Sequence, residues 1–252
     1  MSSISSIYSE KPVLILLHGA TGNGRMWDPV RRELEARYRI LTPDLPGHGS
    51  RRAERFTLDG AVAVVAEAAR SVAPAPVVVG GDSLGGYTSM AAAAALPVEQ
   101  LRGLVLSGCT ANLEGSALWP FKIRKVVNKV LLAVLGERFL LGERFIKALG
   151  KMGIAEADAR SLLDGGVNIA AFGDCVDALA RVDFAGKVAA VSQPILFVNG
   201  SKDRDMMRQQ DRFLAAAPRA QHYVFEGVEH GVSLRRSAEF ADLVDRFASQ
   251  PV

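Results

Sequence analysis

Six short apolar runs punctuate the chain: VLILLHG (13–19), YRILTPD (38–44), PVVVGG (76–81), LRGLVLSG (101–108), PILFVNG (194–200) and QHYVFEG (221–227). Each closes on Gly or Asp, and several are apolar at consecutive positions rather than alternating. That is the pattern of a strand buried on both faces of a parallel sheet. Between the runs lie helix-like segments. Residues 25–37 are amphipathic, with Met26, Trp27, Val30, Leu34 and Tyr38 on one side. Residues 57–72 open on an N-cap at Thr57 or Asp59. Residues 84–96 are mostly small, and 205–216 and 237–248 complete the set. Alternating strand and helix predicts βαβ units with right-handed crossovers: an α/β fold with a mostly parallel, doubly wound sheet.

The alternation breaks once. No strand pattern occurs from 111 to 185, which reads as helices at about 119–135, 137–151, 155–163 and 167–182. Residues 1–110 and 185–252 then form one α/β core, and 111–184 an all-helical insertion above the sheet.

Composition narrows the classes. A chain of 252 residues, 49% hydrophobic, suits one large α/β domain with or without an insertion. A net charge of +3 and 7% aromatics argue against a nucleic-acid partner. Cys109 and Cys175 form no motif and read as buried free thiols. The opening MSSISSIYSEKP has no basic n-region and no long apolar segment, so no signal peptide is expected. No apolar run reaches about 18 residues, so no stable membrane insertion is expected either. The expectation is a soluble, cytoplasmic protein, with monomer or homodimer left open.

The stretch PVVVGGDSLGGYTSM sets four glycines around Ser83. A phosphate-binding Walker loop requires a lysine that is absent here, and the dinucleotide fingerprint fails because Asp82 or Ser83 takes its third position. Residues 81–85 do fit G-x-S-x-G, placed between a strand and a helix. A strand that turns at once into a helix strains the serine backbone, and residues two before and two after must be tiny. Gly81 and Gly85 are the sterically demanded pair, while Gly80 and Gly86 assist packing. The alternative is a turn that serves packing alone.

A serine nucleophile needs a base, and the base an orienting acid. Of the four histidines, His230 lies in a loop after the last strand. His222 falls within a strand, His48 in a Gly/Pro turn that suits a structural hydrogen bond, and His18 directly after the first strand. Asp203, just past Gly200, is the leading acid; Asp205 and Glu114 are rivals, and an ordinary helix cap is the plain alternative for Asp203. For a tetrahedral intermediate, the N–H of Leu84 and one from HGATGNG, best Ala20, are the candidate oxyanion donors.

Taken together, LLHGATGNGRMWDP, YRILTPDLPGHGSR, VVVGGDSLGGYTS, ILFVNGSKD and FEGVEHGVSL make the chain resemble the α/β-hydrolase superfamily from end to end. The resemblance implies Ser83 as nucleophile, His230 as base, Asp203 as acid, Ala20 and Leu84 as oxyanion donors, and the insertion as a cap domain. No cofactor and no metal are expected. Three features depart from the family. Asp82 precedes the nucleophile, the segment before Val13 is short for a full opening hairpin, and no proline follows Asp203.

A serine rather than an aspartate nucleophile leaves acyl transfer to water. The leading reading is hydrolysis of carboxylic esters with a small to medium, largely apolar acyl group. A thioesterase, a C–C bond hydrolase and a non-catalytic ligand receptor on the same scaffold are the alternatives. Residues 121–151 carry eight Lys/Arg and two Glu, and Ile123, Val127, Val130, Leu131 and Val134 share a helical spacing. One reading is an apolar acyl pocket under a basic face that attracts anionic substrates or lipid headgroups. The other is a helix packed on its neighbours with solvated lysines outside. Trp119, Phe121, Phe139, Phe145 and Phe172 are expected in packing or in a pocket lining.

Overall fold

The computed structural model describes residues 11–250. Strands β1 (Val13–Leu17), β2 (Arg39–Leu41), β3 (Val77–Asp82), β4 (Leu101–Ser107), β5 (Ile195–Gly200) and β6 (Ala220–Phe225) form one sheet in the order β2-β1-β3-β4-β5-β6. All five pairings are parallel. The consecutive apolar runs are explained by position: every residue of β1, β3 and β5 is buried, because helices cover both faces. Strand β6 is an edge strand and leaves His222 exposed. The question of an opening hairpin falls on residues 1–10, outside the described residues.

Two apolar clusters sandwich the sheet. The helices Leu58–Arg70 and Leu84–Ala92 pack on one face with Phe184 and Phe213. The helices Asp28–Leu34 and Ser237–Ala248 pack on the other with Trp27 and Phe240. The predicted helix over 57–72 forms as Leu58–Arg70, capped by Thr57 rather than Asp59: the Thr57 hydroxyl accepts from the Gly60 N–H at 3.1 Å. The segment 25–37 is a 3₁₀ turn, Gly24–Trp27, running into the helix Asp28–Leu34, because Asn23 caps the first and Pro29 starts the second. The segment 205–216 divides into Arg204–Met207 and Gln210–Ala216.

Between β4 and β5 the described chain is all helical, with Gly115–Leu135, Glu137–Leu140, Glu143–Lys151, Glu156–Asp164, Phe172–Leu179 and Phe184–Ala189. Its two stems meet: Asn112 Nδ2 donates to Asp183 Oδ1 at 2.8 Å, and the Phe184 N–H donates to Asn112 Oδ1 at 2.9 Å. The helices rest on loops at the carboxyl edge of the sheet. Asn23 donates to the Leu162 carbonyl at 2.8 Å and Asn168 to the Gly47 carbonyl at 2.7 Å.

One expectation about these helices is overturned. Ile123, Val127, Val130, Leu131 and Val134 neither line a pocket nor pack on neighbours; all are exposed, Val134 by 74%. Trp119 and Phe139 are exposed as well. Spacing shows which residues share a side of a helix, and tertiary packing decides whether that side turns inward.

Candidate active site

Ser83 occupies the tight turn between β3 and the helix Leu84–Ala92, at φ 54° and ψ −112°. A non-glycine residue with positive φ is strained, and the surroundings must hold it there. They do so by crowding. A Cβ on Gly81 would overlap the Gly85 backbone, and one on Gly85 would overlap the Leu17 carbonyl. Gly86 is equally constrained, since a Cβ there would run into the Cys109 thiol, and Gly80 would press on the Val105 carbonyl at 2.9 Å. All four glycines are therefore demanded, more than spacing alone indicated. The Ser83 N–H donates to the Ser107 carbonyl at 2.7 Å, which ties the turn to the end of β4. Ser83 is partly exposed among buried neighbours and sits at the positive end of the helix it precedes.

His230 and Asp203 come together from separate loops. His230 Nδ1 lies 2.5 Å from Asp203 Oδ2, and Asp203 is buried to 7% exposure. Asp203 stands at the N-cap position of the Arg204–Met207 helix, yet its side chain makes no capping bond. Asp205 lies in the first turn of that helix, and Glu114 lies 3.6 Å from Arg212; neither is bonded to His230. The His230 ring rests over Gly108, where a Cβ would stand 3.0 Å from Cε1. Gly108 follows Ser107, the residue bonded to Ser83, so the imidazole and the serine turn adjoin the same strand end. Ser83 Oγ forms no hydrogen bond among the described residues; such bonds are often long before substrate binds.

Partial burial pulls the His230 imidazole down. The hydrogen bond and charge of Asp203, with the charge of Asp82, outweigh it and raise the group above 6.5. With the ring 42% exposed, solvent offsets much of the burial effect, and the partnership with Asp203 dominates. Arg124 opposes the rise; its guanidinium lies 5.6 Å from the centre of the Phe172 ring.

Asp82 is a strut. It ends β3 opposite Ser107, whose hydroxyl donates to Asp82 Oδ1 at 2.7 Å, and it is 3% exposed. Burial raises its carboxyl above the usual range, although His230 and the Ser107 bond pull the other way.

The loop after β1 is held in part by His48, in the structural role its Gly/Pro turn suggested, and by Met26. The Gly19 N–H donates to Met26 Sδ at 3.2 Å, the Thr21 N–H to His48 Nε2 at 3.1 Å, and the Gly22 N–H to the Gly19 carbonyl at 3.2 Å. His18 Nδ1 pairs with the Gly19 carbonyl at 2.9 Å while its Nε2 accepts from the Leu45 N–H at 3.0 Å. His48 Nδ1 pairs with the Pro46 carbonyl at 3.0 Å. Burial and the neighbouring His48 press His18 down to about 3, so it stays neutral. Among the described residues the N–H groups of Ala20 and Leu84 donate to no protein acceptor. Leu84 opens its helix, so its N–H has no intrahelical partner, and Gly19, next to Ala20 in the chain, adjoins the Ser83 side chain. No group of three or more His, Cys, Asp or Glu suited to a metal ion occurs among the described residues.

A strained serine between strand and helix, at the carboxyl edge of a parallel sheet and close to a His–Asp pair, is the architecture of the α/β-hydrolase class. The model of the alpha/beta hydrolase family matches residues 14–243, and the chain belongs to that family. The chain is 32% identical over 249 residues to the pimeloyl-[acyl-carrier protein] methyl ester esterase of Xanthomonas axonopodis pv. citri (strain 306), covering 94% of this chain and 95% of that one. It is 30% identical over 247 residues to the enzyme of the same name from Xanthomonas campestris pv. campestris (strain B100), with the same coverage. In fold it is similar to MenH from S. aureus, with a TM-score of 0.77 at 16% identity over 96% of this chain and 95% of that one. The enol-lactonase from Burkholderia xenovorans LB400 gives a TM-score of 0.77 at 18% identity over 97% and 94%.

Proposed function

We propose that the protein is a carboxylester hydrolase in which Ser83 is the nucleophile, His230 the general base and acid, and Asp203 the group that orients His230. The N–H groups of Ala20 and Leu84 serve as oxyanion donors. The observation that carries this reading is the His230–Asp203 bond beside the strained Ser83 turn. Membership in the alpha/beta hydrolase family and the esterase names of the relatives support it.

Neutral His230, its Nδ1–H held by Asp203, presents Nε2 as a base. Nε2 takes the hydroxyl proton as Ser83 Oγ bonds to the ester carbonyl carbon. The carbonyl π pair moves onto oxygen, where the two free N–H groups stabilise it. The bond to the alkoxy group then breaks, and that group leaves with the proton from Nε2. Water adds to the acyl-enzyme, gives its proton to Nε2, and the acid is released as Ser83 recovers its own.

Residues 111–184 are read as a cap on this site and 1–110 with 185–252 as the core, because the stems meet at Asn112 and Asp183. The substrate class is a small-molecule ester with a largely apolar acyl group. The relatives act, by name, on pimeloyl-[acyl-carrier protein] methyl ester, so methyl esters of acyl chains are the first substrates to test.

The test is a fluorophosphonate label together with turnover of p-nitrophenyl and methyl esters, beside acyl-CoA thioesters and a vinylogous diketone. Ser83→Ala is expected to abolish labelling and lower turnover by at least about 10³-fold. Absence of labelling in the folded wild type, or ester turnover that survives Ser83→Ala, refutes the reading. Preference for the thioester or the diketone moves the substrate class.

A further inference from the structure

The helix Gly115–Leu135 is turned inside out. Its inner side carries Phe121, Lys125, Asn128 and Leu132, all partly buried, and Lys125 bonds Asp177 of the helix Phe172–Leu179 at 2.6 Å. Its outer side presents Trp119, Ile123, Val126, Val130 and Val134 at successive spacings of four, three, four and four, every one more than half exposed. Phe139, in the next helix Glu137–Leu140, is exposed as well, at 43%. Isolated apolar residues on a surface are ordinary, but a contiguous stripe of this length marks a contact.

Charge at the rim of the stripe says what kind of contact. Lys122 stands 5.9 Å over the Trp119 ring and Arg144 stands 4.0 Å over the Phe139 ring. The acidic side chains nearby are already engaged: Glu137 with Arg52 at 2.6 Å, and Glu143 with Arg160 at 3.1 Å. Among the described residues no carboxylate pairs with Lys122, Lys129, Arg138 or Arg144, and all four are exposed. The surface is thus an apolar stripe with one tryptophan, four unpaired cations alongside, and nearby carboxylates already paired.

We propose that this face docks the protein peripherally on an anionic phospholipid bilayer, with the helix lying in the plane of the interface. Apolar side chains enter the acyl boundary, Lys and Arg meet lipid phosphates, and Trp119 sits at the boundary between the two. No described helix is long and apolar enough to cross a membrane, so the attachment is to one surface. A second copy fits the stripe less well. A twofold contact brings like cations together, while the nearby carboxylates Glu137 and Glu143 are already paired within the chain.

The experiment is vesicle flotation and fluorescence with the full chain, and it needs no turnover. Vesicles of phosphatidylcholine with about one third phosphatidylglycerol are compared with pure phosphatidylcholine. The chain holds two tryptophans, and Trp27 is fully buried, so a blue shift on adding vesicles reports Trp119. Wild type is expected to float with the anionic vesicles, shift blue, and release as salt rises. The exposed-residue variants Ile123→Ser/Val130→Ser/Val134→Ser and Lys122→Glu/Lys129→Glu should each weaken partitioning at least about tenfold, with unchanged turnover of a water-soluble ester. Four results overturn the proposal: no wild-type binding, equal binding to neutral vesicles, variants that bind as wild type does, or a solution dimer dissolved by the serine variant. Capture of an acidic carrier protein through the stripe, with no vesicle binding, overturns it too.

Discussion

Replacing Asp203 by Asn removes one charge and almost no volume, which makes it a clean probe of the proposed orienting role. Asp203 Oδ2 lies 2.5 Å from His230 Nδ1, and the carboxylate, at 7% exposure, is the buried member of the pair. An amide at this position turns its NH₂ toward Nδ1 in one of two orientations, which leaves the proton on Nε2, where no base remains for Ser83. It also withdraws the anion that stabilises the imidazolium formed during attack. Loss of both is expected to lower kcat by about 10⁴-fold, or about 5 kcal/mol at 1.36 kcal/mol per tenfold. The pH profile supplies a second, independent readout. In its proposed role His230 is a base only when neutral, and Asp203 raises it above 6.5, so the acid limb of kcat/KM in the wild type is expected above that value. Without the carboxylate the imidazole loses its proton more readily, and the limb of residual activity moves to lower pH. The assay is p-nitrophenyl ester hydrolysis from pH 5 to 9, with circular dichroism to show that the fold persists. Asp205→Asn is the control, expected within about threefold of wild type because its carboxylate has no bond to His230. A loss of less than about tenfold, or an equal loss from Asp205→Asn, refutes the assignment of the acid.

Two further outcomes follow from packing and charge. Gly85→Ala drives a methyl group into the Leu17 carbonyl and is expected to cost about 3 kcal/mol or more, seen as a large drop in Tm or as insoluble protein; a Tm close to wild type would show that the elbow relaxes freely. His18 is held neutral down to about 3, while an unfolded histidine protonates near 6.5. The unfolded chain therefore binds the extra proton between these values, and stability falls as pH drops through that window, by about 2 kcal/mol at pH 5. Urea unfolding at pH 7 and pH 5 checks this, and a His18→Asn variant with an undiminished pH slope would remove His18 as the cause.

Much of the strand layout was legible because β1, β3 and β5 are covered on both faces. A strand so placed must be apolar at every position, and the chain leaves it at Gly or Asp. Ser83 was legible for a related reason. The elbow excludes side chains around it, and that exclusion is written locally as glycine. Asp203 was only partly legible. It occupies an N-cap position in the chain, and nothing local shows that its carboxylate turns to His230, 27 residues away. A structural hydrogen bond was legible for His48 from its Gly/Pro turn, but its partner Thr21 was not, nor was the bond of His18 to Leu45, since each links loops from different strand ends.

By itself, then, the sequence determined the α/β alternation, the strained serine turn and a short set of titratable groups able to serve it, because these depend on local sterics and periodicity. Tertiary structure alone decided which aspartate meets His230, why Gly86 must be small against Cys109, and what Asp82 holds. It also decided that the apolar side of the helix Gly115–Leu135 faces outward. A helical repeat defines a face, but only the neighbours that pack against the helix determine which face meets water.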